Sequence, residues 1–294
     1  MEALAERFEA DRQHLRGVAF RILGSLDDAE DAVQQTWLKA SGADLREVQN
    51  LTAWLTTVAA RQCLDVLRAR QRHHEVALPD DEAIAEASSA PPSDEDEVVL
   101  AESVGRALLV VMDRLTPSER VALVLHDMFS VPFEEVGAIV DRSPVAAKKL
   151  ASRARQKVQG DPPQQRAQLG HQRQLAAAFL SASRAGDING LLAVLAPDVI
   201  RRADAAALPA GVPTEIHGAD AVVQETVIIG RRAAAAELAL IDGNVGVLVA
   251  PRGRLLLVII LTYHDGRISE YNVIASRTQL DQLSISLLDY QFAG

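Results

Sequence analysis

The chain has 294 residues, a formal net charge of −10 and one cysteine, Cys63. Its length predicts two or three domains, and a lone cysteine excludes a disulfide framework or a Cys-based zinc site within the chain. Hydrophobic residues make up 48 % and aromatics 4 %, so Ala, Val and Leu carry the cores, a composition that favours helices.

Residues Leu4 to Leu23 read as a first helix, with Leu15, Val18, Ala19, Ile22 and Leu23 on one face and Gly24 as its end. Ser25 and Asp28 form a capping pattern that opens a second helix, Leu26 to Ala40, with an apolar stripe of Ala29, Val33, Trp37 and Ala40. A third helix runs from Thr52 to Arg72, its inward face Trp54, Leu55, Val58, Ala59, Leu64 and Leu67. Arg61 and Asp65 are spaced for an i,i+4 ion pair there.

His73 to Asp96 reads as an acidic linker holding Pro79 and Ala90-Pro91-Pro92-Ser93. A second helical group follows over residues 97–158. Thr116-Pro117-Ser118-Glu119 is a strong start signal, with Thr as N-cap and Pro at the first position, for a helix reaching Met128. A short helix over Pro132 to Val140 and another from Ser143-Pro144 to Val158 form a helix-turn-helix pattern.

Beyond Asp161-Pro162-Pro163 the pattern changes. Helices are expected over 164–185, 188–195 and 219–236. Strands are expected over 199–203, 237–241, 245–249, 255–263 and 267–274. Asp242-Gly243 and Asp265-Gly266 mark hairpin turns, so this part is an α+β domain with a mostly antiparallel sheet. No charged leader with an apolar core opens the chain, and the longest apolar run, Leu255 to Leu261, is far too short for a bilayer; the expectation is a cytoplasmic protein without membrane contact.

Charge is distributed unevenly. Asp80 to Glu102 contains no Lys or Arg, and Arg142 to Lys157 contains no Asp or Glu. Local charge decides contact with DNA. On the last helix of the second group, Ala147, Ala151, Ala154 and Val158 pack inward and turn Lys148, Lys149, Ser152, Arg153 and Gln156 outward; with Ser143 they are the candidate duplex readers. Asp27, Asp28, Glu30 and Asp31, followed by Gln34 and Gln35, exceed what offsetting a helix dipole requires and suit a basic protein surface. Arg61, Gln62, Arg68, Arg70 and Arg72 are candidates for gripping a DNA strand.

The succession Asp-Asp-Ala-Glu-Asp-Ala-Val-Gln-Gln, a Trp-Leu helix ending in arginines, an acidic linker, Leu-Thr-Pro-Ser-Glu-Arg and a basic helix-turn-helix closely resembles the extracytoplasmic-function sigma factors over residues 1–158. The resemblance implies that Asp27 to Trp37 meets the clamp helices of the polymerase β′ subunit, that Trp54 to Arg72 captures the melted −10 element, and that Leu115 to Lys157 reads the −35 element. The β flap and promoter DNA are then further partners. The remainder is similar to SnoaL-like domains with a cone-shaped α+β fold, through Ala185-Gly186-Asp187, Leu195-Ala196-Pro197-Asp198-Val199, His217-Gly218-Ala219-Asp220 and His264-Asp265-Gly266-Arg267-Ile268. Two positions depart from those relatives: Asp204-Ala205-Ala206-Ala207 replaces an Asp-Gly-Gly-Gly run, and Leu78-Pro79-Asp80-Asp81 replaces Leu-Pro-Glu-Pro.

The resulting architecture is multidomain: two all-α domains, then the SnoaL-like (cystatin-like) α+β domain. The expected division is 1–75 for the polymerase and −10 module, 76–97 for the linker, 98–160 for the −35 module and 164–294 for the regulatory domain. Asp204, His217, Tyr263 and Tyr271 are the candidates for a pocket in that last domain; no pair has a diagnostic catalytic spacing, and nothing calls for a metal or cofactor. The competing readings are a helix-turn-helix regulator that works without polymerase, and a small-molecule-binding or isomerase-type C-terminal domain. The sequence names no anti-sigma partner.

Overall fold

The computed structural model describes residues 2–46, 48–74, 105–160, 166–208, 211–230 and 235–288. Among these, the residues up to 74 and 112–157 form one compact unit, while 105–111 and those from 158 onward form a second. The acidic linker, its Leu78-Pro79-Asp80-Asp81 element and the Asp161-Pro162-Pro163 boundary lie outside the described residues.

The first unit opens with α1 (Glu2–Leu23), α2 (Leu26–Ser41) and α3 (Leu51–His74). Gly24, at φ 74°, adopts the left-handed conformation that ends α1, and its amide donates to Phe20 O at 2.7 Å. Ser25 Oγ accepts from Asp28 N at 3.4 Å and caps α2. Phe8, Leu15, Val33, Ala40, Leu51, Leu55 and Ala59 form the core between the three helices, with Trp37 and Trp54 packed against it. Each large apolar side chain buried there contributes about 1.5–3 kcal/mol.

Next come α4 (Arg106–Met112) and α5 (Pro117–Leu123). Thr116 and Glu119 make the reciprocal capping box at the start of α5: Thr116 Oγ1 accepts from Glu119 N at 3.4 Å, and Glu119 Oε2 accepts from Thr116 N at 3.0 Å. The sequence predicts that this helix continues unchanged to Met128. Instead, Val124–Met128 is a π-helical turn. One extra residue per turn shifts the side-chain register, and Asp127 ends up buried.

Residues Phe133–Val140 form α6 and Pro144–Gln159 form α7. Asp141, at φ 57°, makes the left-handed turn between them. Gly137 lets the turn close: a Cβ there would lie 2.7 Å from Arg142 O, a backbone atom that cannot yield cheaply. Arg120 of α5 is buried in the same unit, its Nη1 paired with Asp113. Its Nε and Nη2 have no hydrogen-bond partner among the described residues. Such orphaned donors cost about 1–3 kcal/mol each.

The second unit contains α8 (Arg166–Ala185), α9 (Ile188–Val194) and α10 (Ala219–Gly230) with a seven-stranded sheet. Its strands are β1 (Leu195–Ala203), β2 (Glu215–His217), β3 (Ala236–Ile241), β4 (Asn244–Val249), β5 (Leu257–His264), β6 (Arg267–Ile274) and β7 (Ile285–Ser286), in the spatial order β2-β1-β6-β5-β4-β3-β7. The helix expected over 219–236 ends at Gly230, and Ala236 already pairs with Val249 in the sheet. All neighbours are antiparallel except β1 and β6, which run parallel. The two Asp-Gly pairs form the predicted hairpin turns, with φ 49° and 82° at Asp242 and Gly243, and 47° and 72° at Asp265 and Gly266.

Phe179, Leu191, Leu195, Val222, Val245, Val247, Leu261 and Ile268 fill the space between helices and sheet. This is an α+β domain, as the resemblance to SnoaL-like domains implies. Inside it lies an ion pair: Arg201 is 1 % exposed, donates from Nε to Glu225 Oε2 at 2.7 Å and from Nη1 to Pro213 O at 2.8 Å, and its Nη2 also bonds to Glu225. Helix α4 begins in the same unit: Arg106 N and Ala107 N donate to the Glu237 carboxylate of β3 at 3.2 and 2.9 Å.

Candidate nucleic-acid interface

The basic segment of α7 divides into two groups. Arg155 donates to Asp127 through Nε at 2.5 Å and Nη2 at 2.7 Å. Lys157 donates to Glu119 Oε2 at 2.7 Å. These two cations bolt α7 to the capping box and the π turn. Burial raises the Glu119 pKa, but the bonds from Lys157 and Thr116 outweigh it and hold this carboxyl below the usual range. The other group is Lys148, Lys149 and Arg153, all exposed and without an ion-pair partner among the described residues. Ser143, Ser152 and Gln156 are exposed beside them, and Ser143 Oγ also accepts from Ala146 N at 3.2 Å as the helix cap. Ala147, Ala151, Ala154 and Val158 are fully buried on the opposite side. One face of α7 therefore presents unpaired cations and small hydrogen-bonding groups, and the other is fixed to the fold.

A similar division runs through the acidic stretch of α2. Asp28 pairs with Arg70, and Glu30 pairs with Arg12 at 3.5 Å and Arg16 at 3.3 Å. Asp27, Asp31, Gln34 and Gln35 are exposed. Their spacing places them on one helix face. Leu38, 55 % exposed, extends that face by one more turn, and its residue type alone does not mark it. An apolar residue in a polar run gives no signal until the helix face is known.

Among the arginines of α3, Arg70 also donates to Leu23 O at 3.2 Å, so it ties the bundle together. Arg61 donates to Ala138 O at 3.1 Å, and Arg68 lies 3.8 Å from Asp141. The expected Arg61–Asp65 pair is not formed; Arg61 Nη2 instead meets a carbonyl on α6. Arg72 is exposed and Gln62 half-buried. Cys63 is buried, and burial pushes its thiol up to about 12, which leaves it inert.

In the sheet unit the four pocket candidates have separate partners. Asp204 Oδ1 caps Ala207 N at 2.9 Å, while Oδ2 accepts from Ala275 N at 2.8 Å and Ser276 N at 2.7 Å. His217 is exposed and within 2.6 Å of Glu215. Tyr263 donates to Val245 O at 2.7 Å, and burial raises its pKa. Tyr271 bonds to Thr226 Oγ1 at 2.7 Å, and burial pushes it up to about 12.

The Sigma-70 region 2 family matches residues 7–73 and the Sigma-70, region 4 family matches residues 105–158. The ECF RNA polymerase sigma factor SigJ of Mycobacterium tuberculosis (strain ATCC 25618 / H37Rv) is 36 % identical over 260 residues, covering 83 % of this chain and 80 % of the relative. The probable ECF RNA polymerase sigma factor SigI of the same strain is 30 % identical over 291 residues, covering 97 % and 98 %. The crystal structure of the M. tuberculosis SigJ protein is similar at 29 % identity with a TM-score of 0.43, covering 94 % of this chain and 98 % of that one. A chain that pairs a three-helix bundle with a basic helix-turn-helix is of the promoter-reading class. It belongs to the ECF RNA polymerase sigma factor family, and so is a sigma factor for RNA polymerase core and promoter DNA. No helix among the described residues is long and apolar enough to cross a membrane.

Proposed function

We propose that two surfaces divide the labour of this sigma factor. Asp27, Asp31, Gln34, Gln35 and Leu38 face the β′ clamp helices, with Asp28 and Glu30 holding that surface in shape. Lys148, Lys149, Ser152, Arg153 and Gln156, with Ser143, read the −35 duplex, while the −35 module also rests on the β flap. Arg61, Gln62, Arg68 and Arg72 take the melted −10 strand, where contacts offset the cost of unstacking. For that, Arg61 and Arg68 leave Ala138 and Asp141. The protein works in the cytoplasm beside polymerase. Its C-terminal domain is non-catalytic, supported by the separate structural bonds of Asp204, Tyr263 and Tyr271.

The observation that carries this reading is the unpaired basic face of α7, set apart from cations already used by the fold. In vitro transcription with core polymerase and the full chain tests it. Specific transcripts are expected from the wild type, and Lys149→Ala with Arg153→Ala should weaken promoter binding by about 1–3 kcal/mol for each lost base contact. Duplex binding without polymerase-dependent transcripts would favour a stand-alone regulator and overturn the proposal.

The C-terminal domain modulates this activity in cis. Supporting this, the first turn of α4, which opens the matched region 4 segment, is capped by Glu237 of the sheet. A cap of this kind contributes about 1 kcal/mol, roughly a fivefold change in an equilibrium. Glu237→Ala should therefore change transcript yield several-fold. Equal yields from the two proteins would remove the regulatory reading and leave the promoter reading untouched.

A further inference from the structure

We propose that Val145 is a specificity residue that reads a thymine C5-methyl in the −35 element. The inference rests on the −35 reading above and adds a base identity to it. Val145 is the second residue of α7 and is 68 % exposed. An apolar, β-branched side chain at an exposed helical position contributes nothing to the core and lowers helix propensity. What it supplies is a stiff pair of methyl groups, because a helix leaves valine one strongly preferred rotamer.

Its surroundings identify the occupant. Val145 lies four residues before Lys149 and seven before Ser152, so the three share one ridge of the helix. Lys148, Lys149 and Arg153 are exposed around that ridge without ion-pair partners among the described residues. Cations of this density complement phosphates, which favours duplex DNA over a protein partner for the same knob. Recognition helices meet base edges through their first residues, and the thymine methyl is the apolar group that the major groove displays. Pro144 and Ala146 flank Val145, and Pro144 is also exposed; of the three, Val145 carries the branched pair of methyl groups. The axial rise between Val145 and Lys149 is about 6 Å. That corresponds to about two base-pair steps, so one helix face carries an apolar reader and a hydrogen-bonding reader for neighbouring pairs.

The test uses the full chain with core polymerase and a −35 duplex selected by that holoenzyme from random sequence. Each thymine of the element is replaced in turn by deoxyuracil, which removes only the methyl group. At one position the wild type should lose about fourfold in affinity, the worth of one buried methyl. Val145→Ala should show no loss there, and Val145→Thr, which keeps a methyl, should restore it. Equal responses of wild type and Val145→Ala at every thymine, or a selected element without thymine, would overturn the inference while leaving duplex reading intact. Failure of the holoenzyme to select any −35 sequence would overturn both.

Discussion

Glu225→Ala should destabilise the sheet unit by about 3–5 kcal/mol, the usual cost of removing one partner from a buried ion pair. Arg201 is 1 % exposed and gives two of its nitrogens to Glu225 and the third to Pro213 O. Without the carboxylate, a buried guanidinium remains with one carbonyl as its partner. The sequence provides separate reporters. Both tryptophans, Trp37 and Trp54, pack in the first unit, whereas Tyr263 and Tyr271 are engaged in the second. Denaturant unfolding should shift in the tyrosine near-ultraviolet signal and stay in place in tryptophan fluorescence. Arg201→Met combined with Glu225→Leu should recover most of the loss, because hydrophobic replacements of similar volume leave no buried charge. An unchanged tyrosine midpoint in Glu225→Ala would show that the pair contributes nothing.

Local signals in the chain are strong enough to place most elements. Gly24 ends α1, Ser25 caps α2, Thr116 and Glu119 open α5, and the two Asp-Gly pairs turn the hairpins. Each of these depends on residues a few positions apart, which is why a single sequence reveals them. Short pairings between distant segments are hidden for the opposite reason. Strands β2 and β7, of three and two residues, exist only because β1 and β3 offer them edges. The parallel pairing of β1 with β6 has no local signature either.

The candidate site shows the same limit. Residue type and helical spacing identify the basic face of α7, but they cannot say which cations are spent. Arg70 is consumed by Asp28, and Arg155 by Asp127, across loops that no spacing rule spans. The π turn that buries Asp127 has no sequence signal, since Val124 to Met128 reads as ordinary helix. Leu38 and Val145 are invisible from composition because an apolar residue looks like core until the fold exposes it.

The Asp127–Arg155 pair yields an asymmetric expectation. Arg155→Ala should cost about 3 kcal/mol, because it strands a carboxylate that is 3 % exposed. Asp127→Ala should cost clearly less, since the Arg155 guanidinium is one-third exposed and can turn to water. Lysine at 155 should rescue little, as it cannot reproduce the two-pronged bond. The pair anchors the C-terminal half of α7, so its loss should weaken −35 binding by mispositioning Lys149 and Arg153 and not by removing a phosphate contact. Salt titration separates these causes. Arg155→Ala should lower affinity at every salt concentration with the slope preserved, whereas Lys148→Ala should reduce the slope by about one. A reduced slope and an unchanged melting temperature for Arg155→Ala would instead place that guanidinium on the duplex, and the division of α7 into structural and reading cations would fail.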